Sequence, residues 1–325
     1  MERNGEGLVA AYLLDGAGGG DVLDWGRVSR WSPDDGLLWV HLDYDHPVSR
    51  RWLRDQAGLD PLVAEALMAE ETRPRSLVIA DGILAALRGV NLNPGADPED
   101  MVSIRLWSDG RRIVTTRHRQ LLSVTDLRES LAQGRGPRTA AEFLVELSSR
   151  LVERMSEVIE RIDESVDELE TQVLTLQSHQ LRPLISAVRR EAIGLRRYLA
   201  PQREAMTRLF SERVDWLGEV DRLRLREVAD RTTRYVEDLD MARERAVVVQ
   251  EELMSRLSEQ LDRRMYLLSL VAVVFLPLGF LTGLFGVNVE GIPGAHYKWA
   301  FLVFSALLVL LVGGQLLWFR RKRWL

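Results

Sequence analysis

Hydrophobic and polar positions change pattern twice along this chain. From residue 7 to about 135 the apolar residues fall in short runs bounded by turn residues. "LVAAYLLD" and "GLLWVHLDY" read as strands. "SLVIADGILAALRGV" places Asp81-Gly82 between two apolar runs, and "MVSIRLWSDGRRIVTTRH" repeats the device at Asp109-Gly110, with Val102, Ile104 and Leu106 alternating before it. Both predict hairpins. "HPVSRRWLRDQAG" and "DPLVAEALMAEE" predict helices, the second capped by Asp60 with Pro61 at its first position. The expected product is a mixed sheet with helices on it.

From about 138 the period becomes helical. Leu144, Leu147, Leu151, Met155, Val158, Ile162, Leu169, Val173 and Leu176 follow three/four spacing, with Ser165 or Val166 filling the gap. Pro183 and Pro201 punctuate the next stretch. Val228, Thr232, Tyr235, Leu239, Ala242, Ala246, Val249 and Leu253 form another stripe. No Pro or Gly stands between Val220 and Val274. One helix of over about fifty residues, more than roughly 75 Å at about 1.5 Å per residue, is therefore expected. A helix of that length suits a stalk packed against copies of itself better than one globular core.

The last change is to unbroken apolar runs. "MYLLSLVAVVFLPLGFLTGLFG" and "WAFLVFSALLVLLVGGQLLWF" are free of charge and long enough to cross a bilayer. Only "VNVEGIPGAHYK" separates them, so they predict a transmembrane hairpin with a tiny loop. Arg263 and Arg264 precede the first span; Arg320, Arg321, Lys322 and Arg323 follow the second; the loop has only Lys298. Both ends are therefore expected in the cytoplasm and the loop outside. Trp299 and Trp318 bracket the second span at interfacial depth. The loop is too short to hold a ligand domain.

Composition adds exclusions. The chain is 28% charged and 46% hydrophobic, with a net charge of -5, so nothing overall suggests nucleic acid. It has no cysteine and five histidines, which removes disulfides and thiolate sites and disfavours a dense histidine metal site. "MERNGEGLVAAYLLDG" lacks the pattern of a signal peptide, so the N-terminal part is expected to fold in the cytoplasm. No phosphate loop, nucleophile elbow or metalloprotease motif appears. Neither an enzyme nor an ATP-driven pump is expected.

Two spans cannot enclose a water-filled path; they can anchor, or contribute to a pore made by several copies. Met265, Leu268, Ala272, Leu276, Gly279 and Gly283 recur at spacings of 3, 4, 4, 3 and 4, on one face of the first span. Its outer half is small, which permits close packing or a lumen, and Gly279-x-x-x-Gly283 alone decides neither. Pro277 lacks an N–H and should bend or loosen the span, with water in a lumen able to tolerate the freed carbonyl.

At Gly286-Val287-Asn288 the sequence resembles the CorA magnesium-channel superfamily, whose Gly-Met-Asn signature ends the first of two C-terminal spans. Pro277, Phe285, Glu290, "YKWAF" and "RRKRWL" fit the same pattern. Gly-Val-Asn with "GIPG" after it resembles the ZntB branch, described as zinc transporters. "LWVHLDYDHP" and "DMVSIRLWSDGRRIVTTRHR" resemble that branch's cytoplasmic domain. The likeness spans essentially the whole chain. It implies a homopentameric funnel lined by the first span, with an Asn288 ring at the outer mouth that holds hydrated divalent cations. Five carboxamide oxygens can accept hydrogen bonds from a cation's water shell without stripping it. The lumen row has no Cys, His or carboxylate, so it offers no tight dehydrated zinc site. Val287 departs from the magnesium signature, and zinc, magnesium, cobalt, nickel and cadmium remain open.

Other residues invite chemistry. Glu153, Glu157, Glu160, Glu164 and Asp167 form one acidic helical row, with Asp163, Glu168 and Glu170 adding to it; it reads as a solvated face or as a field that gathers cations. His41, Asp43, Asp45 and His46 look like metal ligands, although Asp45 and Pro47 also fit turn and helix-start roles. Glu290 is the only acid of the outer loop, suited to attracting cations or to pairing with Lys298. His296 is a proton-sensitive candidate beside the ordinary reading of a loop histidine. Arg111, Arg112, Arg117 and Arg119 read as a solvated or interface patch.

The expected fold is an α+β cytoplasmic domain with long stalk helices plus two C-terminal transmembrane helices. The expected segments are 1–137 (α/β domain), 138–264 (stalk), 265–286 (first span), 287–298 (outer loop), 299–319 (second span) and 320–325 (basic tail). The expected function is transport of divalent cations across a bacterial inner membrane, zinc favoured. An inside-negative potential favours uptake by about 2.3 kcal/mol per charge per 100 mV. Proton coupling is an open addition, and no cofactor is expected beyond the transported ion. A CorA-type magnesium, cobalt or nickel channel and zinc efflux are the alternatives. A non-conducting membrane-anchored scaffold or sensor is the reading from another class.

Overall fold

The computed structural model describes residues 7–70, 73–174, 178–286 and 297–322. The chain forms two compact units, Met1–Gln250 and Glu251–Leu325. The first contains a seven-stranded sheet: β1 (Leu8–Leu14), β2 (Gly20–Val22), β3 (Leu37–Asp43), β4 (Arg75–Ile79), β5 (Gly82–Gly89), β6 (Val102–Ser108) and β7 (Arg112–Arg117). Their order is β2-β1-β3-β7-β6-β5-β4, and only the β3–β7 pair is parallel. The expected mixed sheet is therefore present.

Alternation within the strands divides the core. Leu38, Val40 and Leu42 face one layer, where Val63 and Leu67 of α3 (Pro61–Met68) and Trp52 and Leu53 are buried. Trp39 faces the other, against Leu127 of α4 (Leu122–Ala132) and Phe143 of α5 (Ala140–Gln172). Phe143 meets the Trp39 ring edge-on, with centroids 4.9 Å apart. Two short helices, α1 (Trp25–Val28) and α2 (Pro47–Arg51), complete the first layer's connections. Asp60 caps α3 by accepting from Leu62 N at 2.8 Å, with Pro61 at the first position as expected.

One hairpin differs from its expectation. Ile79 pairs with Gly82, so the turn is Ala80-Asp81 and Gly82 already belongs to β5. Ala80 adopts a φ of 51°. Gly82 serves close approach: a Cβ there would lie 2.8 Å from Trp107 Nε1. At Asp109-Gly110 the expectation holds, with Gly110 at φ 85° and Asp109 Oδ1 accepting from Arg111 N and Arg112 N.

The long helices follow. Thr139 caps α5, accepting from Glu142 N at 3.1 Å, while Glu142 Oε2 accepts from Arg138 N at 2.8 Å. All the described residues of the expected leucine stripe are buried, and Val166, not Ser165, fills its gap. Helix α6 (Ser178–Ser211) passes through Pro183 and Pro201 rather than stopping at them. An interior proline costs about 3 kcal/mol or more. Buried Leu195, Leu199, Met206 and Leu209 on either side of Pro201 offset it, at about 1.5–3 kcal/mol for each fully buried large side chain. Helix α7 runs from Glu219 to Gly286 without interruption. Its stripe from Val228 to Leu253 is buried except at Tyr235, which is half-buried. Met155, Ile162, Leu195, Leu199, Val236 and Leu239 share one core, so α5, α6 and the first part of α7 belong to the same unit as the sheet.

The second unit holds the end of α7 and α8 (Ala300–Arg321). Both helices contain stretches long and apolar enough to cross a membrane, with mean hydropathy 2.4. Their apolar side chains are exposed, Phe301 by 83% and Leu276 by 71%, as a lipid-facing or self-associating surface requires.

Candidate functional site

In the apolar part of α7 the half-buried positions are Leu270, Val274, Pro277, Leu278 and Leu281. They recur at helical spacing and define the side that packs on α8. On α8 the matching positions are Phe304, Leu308, Leu311, Val312 and Gln315, with Phe319 fully buried. Phe285 and Phe304 meet with ring centroids 5.3 Å apart. Met265, Leu268, Ala272, Leu276, Gly279 and Gly283 lie on the other side, about half a turn away. All six are exposed, and nothing stands within 4 Å of a Cβ placed on Gly279 or Gly283. The hairpin therefore leaves this row uncovered. The row also begins earlier than the sequence suggested: Met254, Ser258 and Leu261 continue it at spacings of 4, 3 and 4, and all are exposed. Their charged neighbours, Glu259, Asp262 and Arg263 among them, hid this line from a reading of charge-free segments.

Pro277 stands on the α8 side, not in the exposed row. The carbonyl it leaves without a helical donor belongs to Val273, four residues earlier. Gln315 Nε2 donates to that oxygen at 3.4 Å. The freed carbonyl thus has a side-chain donor instead of the water envisaged for a lumen-facing proline. One turn on, Thr282 Oγ1 donates to the carbonyls of Leu278 (2.9 Å) and Gly279 (3.2 Å).

Gly286 is the last described residue of α7. Val287, Asn288, Glu290 and His296 lie outside the described residues.

The four metal-like residues are not brought together. His41 lies inside β3, fully buried, with Nδ1 2.8 Å from Thr115 Oγ1. Burial first, then the charges of Arg117 and Arg128, push its pKa well below the ordinary histidine value. Those cations oppose a metal ion as they oppose a proton. Asp43 ends β3 and its Oδ1 accepts from Asp45 N at 3.1 Å. Asp45 pairs with Arg50 at 3.3 Å and with His118. His46 caps α2, its Nδ1 accepting from Val48 N, with Pro47 at the first position. Among the described residues no three His, Cys, Asp or Glu side chains are placed to hold a metal ion. The turn and helix-start roles are the ones observed.

The acidic row of α5 is exposed at Glu153, Glu157, Glu160, Glu164 and Asp167. Its lower end is not purely solvated. Arg245 of α7 bonds Asp163 Oδ1 at 2.8 Å, Glu170 through both carboxylate oxygens at 2.8 and 2.9 Å, and Asp167. The hydrogen bond from Arg245 lowers the Glu170 pKa. In the basic patch, Arg112 donates to the carbonyls of Ala57 and Gly58, and Arg119 pairs with Asp100, so it is structural at those two positions.

With this geometry in hand, the relatives are informative. The family model described as "CorA-like Mg2+ transporter protein" matches residues 34–321. The chain belongs to the CorA-like Mg2+ transporter family. It is a transporter, not an enzyme. The divalent cation transporter CmaX of Pseudomonas aeruginosa is 42% identical over 331 residues, covering 98% of this chain and 97% of that one. The zinc transport protein ZntB of Yersinia enterocolitica is 39% identical over 322 residues, covering 98% and 96%. A solved structure of full-length CmaX superposes with a TM-score of 0.86 at 40% identity, covering 100% of both chains. The expected architecture, an N-terminal sheet domain, long helices and two C-terminal apolar helices, is the architecture of this family.

Proposed function

We propose that this protein carries divalent metal cations across the bacterial inner membrane, zinc first among them, in the direction of uptake. Its working form is a homopentamer in which five copies of the α7 span enclose the path. The observation that carries this reading is the exposed row from Met265 to Gly283, left bare on the side of α7 away from α8. A single hairpin anchored in lipid has no need for a donor-free face along its longer helix whose outer half is small. Around a symmetry axis that face becomes a wall that neither strips nor traps a hydrated ion. The full-length likeness to a zinc transport protein and to a divalent cation transporter supports the choice of cargo.

In this reading Gly286, Val287 and Asn288 form the outer mouth, and Asn288 supplies the ring of carboxamide oxygens. Glu290 adds negative charge beside it, and His296 is the group through which a proton gradient would act. The membrane potential drives entry, at about 2.3 kcal/mol per charge per 100 mV.

Flux into proteoliposomes tests the reading. Purified full-length protein should admit zinc, with magnesium measured in parallel and each ion followed with and without a pH gradient. Absence of flux for every divalent ion would return the protein to the class of membrane-anchored scaffolds. Faster magnesium than zinc would reassign the cargo and leave the path intact.

A further inference from the structure

A carboxamide in the middle of an apolar span is costly unless it is used. Gln315 is the only Asn, Gln, Ser, Thr or charged residue between Leu307 and Arg320. Its Oε1 is shielded and finds no partner among the described residues. Its Nε2 points at a single place, the Val273 carbonyl, at 3.4 Å. That is the one carbonyl of the span that Pro277 deprives of its i+4 donor. Donor and orphan acceptor come from different helices, 42 residues apart in sequence.

We propose that Gln315 is a positioning residue for transport: its amide N–H holds the carbonyl freed by Pro277 and thereby fixes the course of α7 around Pro277. The inference rests on the reading of α7 as the wall of the path. Ala272 and Leu276 of the exposed row flank the Val273 carbonyl and Pro277 along the same turn. A change in the local course of the helix there moves the row inward or outward. With the donor in place the backbone of this turn is satisfied without water, and the row keeps one position. Without it, the carbonyl must find water or lipid-buried relief through local unwinding, and the row becomes variable.

A double-mutant cycle tests this with full-length protein in proteoliposomes. Gln315→Met keeps length and flexibility and removes the donor. It should lower the initial zinc uptake rate about three- to tenfold, the range of one interhelical hydrogen bond in a membrane, with oligomer size unchanged. Gln315→Asn, one methylene too short, should behave alike and serves if the methionine variant does not assemble. Pro277→Ala supplies an N–H at residue 277 and closes the Val273 carbonyl within α7. In that background Gln315→Met should change uptake by less than about twofold. Hydrogen exchange over 270–285 gives a readout independent of flux: faster exchange for Gln315→Met alone, and none added in the Pro277→Ala background. Wild-type uptake and exchange in Gln315→Met, or equal effects in both backgrounds, overturn the proposal. Leu276→Ser and Gly283→Ala separate the two levels. If they alter flux while Gln315→Met does not, only this inference fails; if they too are silent, the path reading fails.

Discussion

Gln202 holds both backbone groups of Arg88. Its Oε1 accepts from Arg88 N at 2.6 Å, and its Nε2 donates to the Arg88 carbonyl at 3.0 Å. The pairing of β4 with β5 ends at Ala86, so beyond it no strand among the described residues lies on that edge of β5. A buried carboxamide from α6 supplies the missing donor and acceptor. Gln202→Leu removes both of these hydrogen bonds to the Arg88 backbone, at about 1–2 kcal/mol each. Unfolding of the detergent-solubilised chain should show a loss of about 2–4 kcal/mol, and a change within about 0.5 kcal/mol would remove this clamp from the account of the fold.

The same contact shows where a sequence is silent. Strand and helix identities were legible because they depend on local period: Val102, Ile104 and Leu106 alternate, and α7 contains no breaker before Pro277. Pro201 reads as a stop in local terms, yet α6 continues because its fate depends on residues packed around it, Gln202 on β5 among them. Gly82 looked like a turn residue because Asp-Gly is a turn signal, but the space beside Trp107 decided its role. Along the proposed path, the exposed row was visible as spacing. Its partner face, and Gln315 above all, was not, because the Pro277 carbonyl deficit and the side chain that meets it lie on different helices.

His41 gives the first unit a pH dependence whose sign is fixed. Its folded pKa is pushed well below 6.5 by burial and by Arg117 and Arg128, so the unfolded chain binds the proton more readily. Stability should therefore fall as pH drops below about 6.5, by at most about 1.4 kcal/mol per pH unit for this group. His41→Gln should flatten the slope of unfolding free energy between about pH 5 and 6.5 relative to the parent, because it removes one group that binds its proton more readily in the unfolded chain. An unchanged slope would mean that His41 is protonated in the fold. Calorimetric zinc titration of a His41→Ala, His46→Ala chain should match the parent, since neither side chain is placed as a ligand.

Arg245 divides the acidic face of α5 into a paired end and a free end. Its partners are largely exposed, so each pair contributes at most about 1 kcal/mol after solvent screening. Glu170 has a lowered pKa in the fold, so its share is present above the ordinary carboxyl value of 4.5 and is lost as pH falls through the lower folded value. Arg245→Ala should remove that acid-side loss. The free end, Glu153, Glu157, Glu160 and Glu164, acts at a distance if it acts at all. Replacing these four by Gln should slow zinc flux at low salt and have no effect at about 0.5 M salt, where the Debye length is only about 4 Å. Equal rates at low salt would leave the row a solvated face.

Asn288 bears the sharpest consequence of the proposed path. A carboxamide at the end of one span offers one weak acceptor; five around an axis offer a ring matched to the water shell of a divalent ion. Magnesium in particular gives up that shell reluctantly, so outer-sphere acceptors are the economical means of holding it, and weak holding permits release. Asn288→Ala removes the oxygens, and Asn288→Asp replaces neutral acceptors with charge that would bind too tightly. Both should lower the zinc uptake rate by more than about tenfold if each discards a binding step worth about 1.4 kcal/mol or more. Both should leave oligomer size unchanged, because neither substitution touches the packed pair Phe285 and Phe304. Normal flux and normal preference between zinc and magnesium in the two variants would take Asn288 out of the path, whatever the rest of the protein transports.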